Sequence, residues 1–215
     1  MSKIIIIDYN LGNLFSVQHA CTSLGLDAQI SQNIDDIINA EAIILPGVGA
    51  FNEAMNNLER LNLIAPILEH VNAEKPFFGI CLGLQLLFTE SEEFGTRKGL
   101  NLIPGEVLKF PKEVNNKKLI VPQIGWNTIS PLENKDFDNT PLENIKVGEF
   151  TYFVHSYYVS PDNQKDTLSV TNYEGHIYCS SIIKKNIFAT QFHPEKSGVE
   201  GLKIYKNWAV QNNLI

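Results

Sequence analysis

The residues best placed to do chemistry lie in Phe77-Phe78-Gly79-Ile80-Cys81-Leu82-Gly83-Leu84-Gln85. An apolar run ends on a cysteine, with one glycine two residues before it and another two after. This layout predicts a nucleophile elbow: a strand, a sharp turn, then a helix, with the thiol at the apex. Glycines suit the flanks because a side chain there would strike the tight backbone or the next element. A cysteine at a helix N-terminus faces unpaired amides and the positive end of the helix dipole, which favour a thiolate. The Leu82 amide points to the same spot and can stabilise an oxyanion. Leu84, Leu86, Leu87 and Phe88 follow at spacings that suit a helix packed on a sheet. A lone cysteine is ordinarily a small buried hydrophobe, so the elbow needs partners.

A nucleophilic cysteine requires a histidine base, and that histidine requires a carboxylate to orient it. The chain has five histidines, His19, His70, His155, His176 and His193. His193 stands apart, in Phe188-Ala189-Thr190-Gln191-Phe192-His193-Pro194-Glu195. Pro194 biases His193 toward extended backbone, so His193 and Glu195, two apart, can project to one side. His19, His70 and His176 sit in no metal-ligand spacing, and neither a metal nor a cofactor is expected.

Taken together, Gly-Ile-Cys-Leu-Gly-Leu-Gln and Gln-Phe-His-Pro-Glu resemble the class I glutamine amidotransferases, with their Cys-His-Glu triad. The match continues through Pro46-Gly47-Val48-Gly49-Ala50-Phe51, Ile124-Gly125-Trp126-Asn127, Phe153-Val154-His155-Ser156-Tyr157 and His193-Pro194-Glu195-Lys196-Ser197-Gly198. These segments look like one branch in particular, the glutaminase subunits of imidazole glycerol phosphate synthase, and the resemblance covers essentially the whole chain. It implies hydrolysis of glutamine to glutamate and ammonia by Cys81, His193 and Glu195. The oxyanion donors would be the Leu82 and Val48 amides. By itself the Val48 segment reads as a strand-to-helix loop. Glycines on both sides of Val48 let its peptide rotate, so its amide can turn into or out of an oxyanion hole.

The resemblance further implies that Gly49, Gln85, Glu93, Ser156 and Tyr157 hold glutamine. From charge pattern alone, Glu93 is a solvated member of the run Glu90-Ser91-Glu92-Glu93. His155 is read as structural, because the triad is complete without it. The implied partner is a (β/α)8 cyclase subunit forming a heterodimer and receiving ammonia through its interior. Asn13, Pro122, Gln123, Trp126 and Lys196 would lie near that interface. The acceptor would be a phosphorylated ribulosyl compound of histidine biosynthesis, giving imidazole glycerol phosphate and aminoimidazole carboxamide ribotide. Two departures from the branch are Asn10, where glycine is usual, and Gln123, where histidine is usual. They leave room for a paralogous glutaminase that feeds ammonia to surface-sugar biosynthesis. A non-catalytic binding subunit of the same fold is disfavoured by the intact Cys81, His193 and Glu195.

The elements that must position these groups can also be read. Ile4 to Ile7 predicts a parallel strand buried on both faces. A turn through Asp8 to Asn13 leads to a helix carrying Val17, Ala20, Cys21 and Leu24, with Gly25 as its stop. Leu26 to Ile30 and Ala42 to Leu45 are strands, with Ile34, Ile37 and Ile38 in a short helix between them. Leu61 to Val71 reads as a helix interrupted by Pro66. From residue 102 onward short strands are expected at Glu106–Lys109, Leu119–Val121, Phe150–Val154, Leu168–Tyr173, Tyr178–Ile183 and Ile187–Gln191. Residues 131–146 read as an exposed excursion. The tail from Ser197 reads as one helix with Val199, Leu202, Tyr205, Trp208 and Ala209 as its apolar stripe.

The fold class expected is α/β: an open, mostly parallel sheet flanked by helices, with a C-terminal run of antiparallel strands and a flavodoxin-like core. One amidotransferase domain is expected over residues 1–215. Hydrophobic content of 44% and charged content of 19% suit a globular protein. A formal charge of −7 with no basic block argues against nucleic acid as a partner. Three cysteines without framework spacing point to a reducing compartment. The apolar start up to Asp8 is too short for a signal peptide and no run reaches membrane-spanning length, so a cytoplasmic protein is expected.

Overall fold

The computed structural model describes residues 4–133 and 135–215, so Met1 to Lys3 of the apolar start lie outside the described residues. Its parallel half contains β1 (Ile4–Ile7), β2 (Ala28–Ser31), β3 (Ala42–Gly47) and β4 (Phe77–Cys81). They lie in the order β2-β1-β3-β4 and all pair in parallel. Such strands are buried on both faces, and their side chains divide by parity. Ile4, Ile6, Ala42, Ile44, Phe78 and Ile80 enter one apolar cluster. Ile5, Ile7, Ile43, Leu45 and Phe77 enter the other.

The crossovers supply the covering layers. Helix α1 (Leu14–Ser23) adds Val17, Ala20 and Cys21 to the first cluster. Helices α2 (Ile34–Asn39), α3 (Phe51–Arg60) and α4 (Ile64–Asn72) cover the opposite face. Pro66 does not interrupt a longer helix, contrary to expectation. It is the third residue of α4, where a backbone N–H would lack an intrahelical partner anyway.

After the elbow the chain turns quickly. Helix α5 is only Leu82–Gln85, and Phe88 already begins β5 (Phe88–Ser91), so the expected longer helix through Phe88 is absent. Leu86, Leu87 and Phe88 are nonetheless fully buried. The remaining strands are β6 (Arg97–Lys98), β7 (Ile103–Lys109), β8 (Glu113–Val114), β9 (Lys117–Lys118) and β10 (Gln123–Pro131). Then come β11 (Glu149–His155), β12 (Tyr157–Pro161), β13 (Thr167–Tyr173), β14 (His176–Lys184) and β15 (Ile187–Thr190). The strand expected at 119–121 is not formed, whereas β10, which had no assignment, spans nine residues.

β15 joins the two halves. It pairs in parallel with β4 and antiparallel with β14. The last helix, α6 (Gly198–Gln211), returns over the first apolar cluster and buries Ile204, Tyr205, Trp208 and Ala209. Val199 is not part of that stripe, being 77% exposed. Residues 131–146 are also not a solvated excursion, because Phe137, Leu142 and Ile145 anchor them in the same cluster. No helix among the described residues is long and apolar enough to cross a membrane.

Candidate active site

Cys81 ends β4 and caps α5 with φ 55° and ψ −105°, a conformation that L residues adopt only under constraint. Such strain costs about 1–3 kcal/mol and persists only where the surroundings impose it. Here the imposing surroundings are the glycines. A Cβ on Gly83 would lie 1.8 Å from the Leu45 carbonyl oxygen, and one on Gly79 would lie 3.0 Å from both the Ala189 Cβ and the Gly83 carbonyl oxygen. The elbow is therefore pressed against the Leu45 carbonyl of β3 and the Ala189 methyl of β15. Gly83→Ala is expected to lower stability by about 3 kcal/mol, a fall in Tm of about 10 °C. An unchanged melting curve would show that α5 can lift off Leu45.

Strand register brings the other groups to the sulfur. Gly47 pairs with Cys81, which places the Val48 loop beside the elbow at the carboxyl ends of β3 and β4. Gly47 itself is packed under the Tyr9 phenol, whose oxygen would lie 2.0 Å from a Cβ there. Gly49 has φ +115°, so glycine is required for the loop's conformation as well. On the other side Thr190 pairs with Ile80, so the chain leaving β15 passes Cys81 and reaches His193.

His193 and Glu195 meet as expected. The His193 Nδ1 lies 2.8 Å from Glu195 Oε1, and both side chains are almost fully buried. Nδ1 donates, because an ionised carboxylate has no proton to give. Among the described residues the buried imidazole Nε2 has no nitrogen or oxygen partner, and it remains available for proton transfer with Cys81. Burial disfavours the imidazolium, but Cys81 and then Glu195 outweigh it and push His193 up to about 10. The main chain is fixed too: the His193 N–H donates to Tyr152, and Ser197 Oγ donates to the His193 carbonyl at 2.7 Å.

Above this group opens a cavity of about 420 Å³. Cys81, Leu82, Val48, Gly49, Gln85, Glu93, Ser156 and Tyr157 all line it, so the residues implied for oxyanion and glutamine binding share one cavity. His193 and Glu195 are buried and are not among the lining residues. Glu93 is not a solvated charge: its Oε2 accepts from the Phe51 N–H at 2.6 Å, at the start of α3. Burial raises its pKa and that N–H pulls the other way. Gln85 is buried, with Nε2 donating to the Tyr157 carbonyl at 3.0 Å.

His155 does not line up with the triad as a base. Its Nδ1 donates to the Tyr157 carbonyl at 2.8 Å, and burial pushes it down to about 4. Among the implied interface residues, Asn13, Pro122, Trp126 and Lys196 are exposed, and Pro122 and Lys196 also line the cavity. Gln123 differs from them in being buried. It is 2% exposed, with Oε1 accepting from the Tyr178 hydroxyl at 2.9 Å. The cause is strand parity: Gln123 pairs with the inward His155, three positions from Trp126 and hence on the opposite face. Sequence reasoning also assigned no role to Gln191, which is wholly buried beside Cys81.

A strained cysteine with a buried His–Glu pair on an α/β sheet is the arrangement that a cysteine-triad amidohydrolase requires for acyl transfer from an amide. The family model described as glutamine amidotransferase class-I matches residues 5–212. The imidazole glycerol phosphate synthase subunit HisH of Geobacter sulfurreducens is 45% identical over 210 residues, covering 97% of this chain and 98% of its own. Its counterpart in Syntrophotalea carbinolica is 44% identical over 207 residues, covering 95% and 98%. Among solved structures, PurLQS from Thermotoga maritima shares the fold at 18% identity, with a TM-score of 0.68 over 97% of this chain and 98% of that one. The chain belongs to the class I glutamine amidotransferases and, within them, to the HisH subunits of imidazole glycerol phosphate synthase.

Proposed function

We propose that this chain, acting in the cytoplasm as one amidotransferase domain over residues 1–215, hydrolyses glutamine. It passes the ammonia to a (β/α)8 cyclase partner for synthesis of imidazole glycerol phosphate and aminoimidazole carboxamide ribotide. The observation that carries this reading is the buried His193–Glu195 pair, with His193 interacting with a strained Cys81 that lines a substrate-sized cavity.

In the first half-reaction the Cys81 sulfur forms a bond to the side-chain amide carbon of glutamine. The carbonyl oxygen takes the negative charge and is met by the Leu82 and Val48 amides, a contribution of about 3 kcal/mol per donor. The tetrahedral intermediate collapses with loss of the C–N bond, and His193 Nε2 gives its proton to the departing nitrogen, releasing ammonia. Glu195 holds the imidazole in register through Nδ1. In the second half-reaction water attacks the thioester carbon, His193 takes its proton, and the C–S bond breaks to give glutamate. Gly49, Gln85, Glu93, Ser156 and Tyr157 hold the amino-acid end of the substrate.

Ammonia released into neutral water is protonated and loses its nucleophilicity, so a docked partner is chemically necessary. The β10–β11 ribbon supplies a suitable face. Ile124 and Trp126 are 63% and 56% exposed, and Phe150 lies beyond them on the neighbouring strand. Lys196 stacks 5.7 Å from the Tyr152 ring at its edge. An exposed apolar group of this kind marks an interaction surface. The deciding experiment mixes the chain with a cyclase of this pathway, its ribulosyl intermediate and glutamine. Both products are expected in equal amounts with glutamate. Glutamate formation without them under any cyclase pairing would move the chain to the paralogous sugar-pathway reading.

A further inference from the structure

Gln191 follows β15 directly, and because Thr190 pairs with Ile80, it stands abreast of Cys81. Its own N–H donates to the Ser180 carbonyl at 2.8 Å, which locks the backbone. Its side-chain Nε2 lies 3.7 Å from the Cys81 sulfur. Its Oε1 accepts from Gln85 Nε2 at 3.1 Å, and Gln85 Nε2 also donates to the Tyr157 carbonyl.

The direction of this chain of bonds is fixed from its far end. A main-chain carbonyl can only accept, so the group of Gln85 facing Tyr157 must be the NH2. That NH2 then requires an oxygen from Gln191, and the amide of Gln191 is left with its NH2 aimed at the sulfur. The orientation does not depend on the protonation state of Cys81. It is set by a backbone atom two amides away.

We propose that Gln191 is a fixed N–H donor to the Cys81 sulfur, stabilising its negative charge before attack and again as sulfur leaves the thioester. This rests on the reading of Cys81 as the nucleophile and adds a group to it. The need for such a donor is visible in the surroundings. The Val154 carbonyl lies 3.9 Å from the sulfur and suits a thiol, but it repels a thiolate. Among the described residues, His193, Tyr9 and Tyr178 are titratable groups that interact with Cys81. Burial keeps both phenols protonated and neutral, so His193 is the only cation among them. A second donor on the Gln191 side offsets the carbonyl without adding charge.

The test is the rate at which iodoacetamide alkylates Cys81 in the full chain between pH 6 and pH 10, read by mass spectrometry. Gln191→Met removes the donor. Gln191→Glu keeps an oxygen for Gln85 and changes only the group that faces the sulfur. At pH 7 the rate is expected to fall about tenfold in the first and about a hundredfold in the second. At pH 10 both should come within about twofold of the parent. Parent-like profiles, or an equal loss at every pH, would overturn the proposal, because a merely structural residue gives one of those results. Should neither variant fold, the side-chain amide protons of Gln191 in the parent serve as the readout. They are expected to shift with the same pH midpoint as alkylation, and a pH-independent signal overturns the proposal. A parent Cys81 that is unreactive at every pH would instead remove the nucleophile assignment itself.

Discussion

Cys81→Ser is expected to lower glutamine-dependent turnover by a factor on the order of 10⁴ or more. Synthesis by the complex from added ammonium salt at elevated pH should remain near the parent level. The first effect follows from what surrounds the sulfur. Gln191 Nε2 and the Val154 carbonyl stand 3.7 Å and 3.9 Å from it, distances that suit sulfur but exceed a hydrogen bond to a hydroxyl. The serine oxygen would keep its proton and sit closer to its own backbone, away from the substrate carbon. The second effect follows from the proposed division of labour, in which ammonia chemistry belongs to the partner. An electrophilic glutamine analogue gives an independent check. It should label Cys81 and spare Cys21 and Cys179, both buried and both pushed by burial up to about 12. Glutaminase activity retained in Cys81→Ser would remove the triad assignment.

The second large effect is expected from the partner. Alone, the chain should hydrolyse glutamine slowly, and a cyclase with its own ligand bound should raise kcat by a factor on the order of 10² to 10³. The Val48 peptide lies between Gly47 and Gly49, so it can present either its amide or its carbonyl to the cavity at small cost. The carbonyl orientation leaves the oxyanion with one donor instead of two. Pro122 and Lys196, on the proposed partner face, line the same cavity as Val48 and Gly49. Docking there would act at the rim of that shared cavity and shift the loop's population toward the amide-in state. Measuring glutaminase kcat for the chain alone, with empty cyclase and with liganded cyclase separates the cases. Equal rates in all three would discard the gating and leave the triad intact.

How much of this was legible in the sequence differs between the halves of the sheet. Parallel strands buried on both faces are continuous apolar runs, and Ile4–Ile7 and Ala42–Leu45 read directly as such. β10 does not, because one of its faces meets solvent and Gly125, with φ +128°, interrupts the alternation. Its residues drew notice as a motif, and the parity that separates Gln123 from Trp126 went unread. Residues 131–146 are polar overall, yet three apolar side chains anchor them, and composition does not weigh three residues heavily. Within the site, Cys81, His193 and Glu195 were legible because their chemistry depends on local spacing. Gln191 was not, since a buried amide acquires meaning only from what the fold sets against each of its ends. The length of α5 was misjudged for a related reason: leucines 86 and 87 are buried by the surrounding sheet and helices rather than by a helix of their own.

The position of β15 bears on how the molecule is made. It is the last strand to leave the ribosome, yet it occupies the middle of the sheet between β4 and β14. Until it arrives, β4 has β3 on one side and an open edge on the other, while about half the chain is still being synthesised. Pairing over so long a separation is slow, and an open apolar edge invites other chains. Cys81 is exposed to the same delay, since Gln191, His193 and Glu195 all follow β15. A nascent chain stopped short of Ile187 therefore presents a sticky edge and an isolated thiol, and glutamine is safe from it.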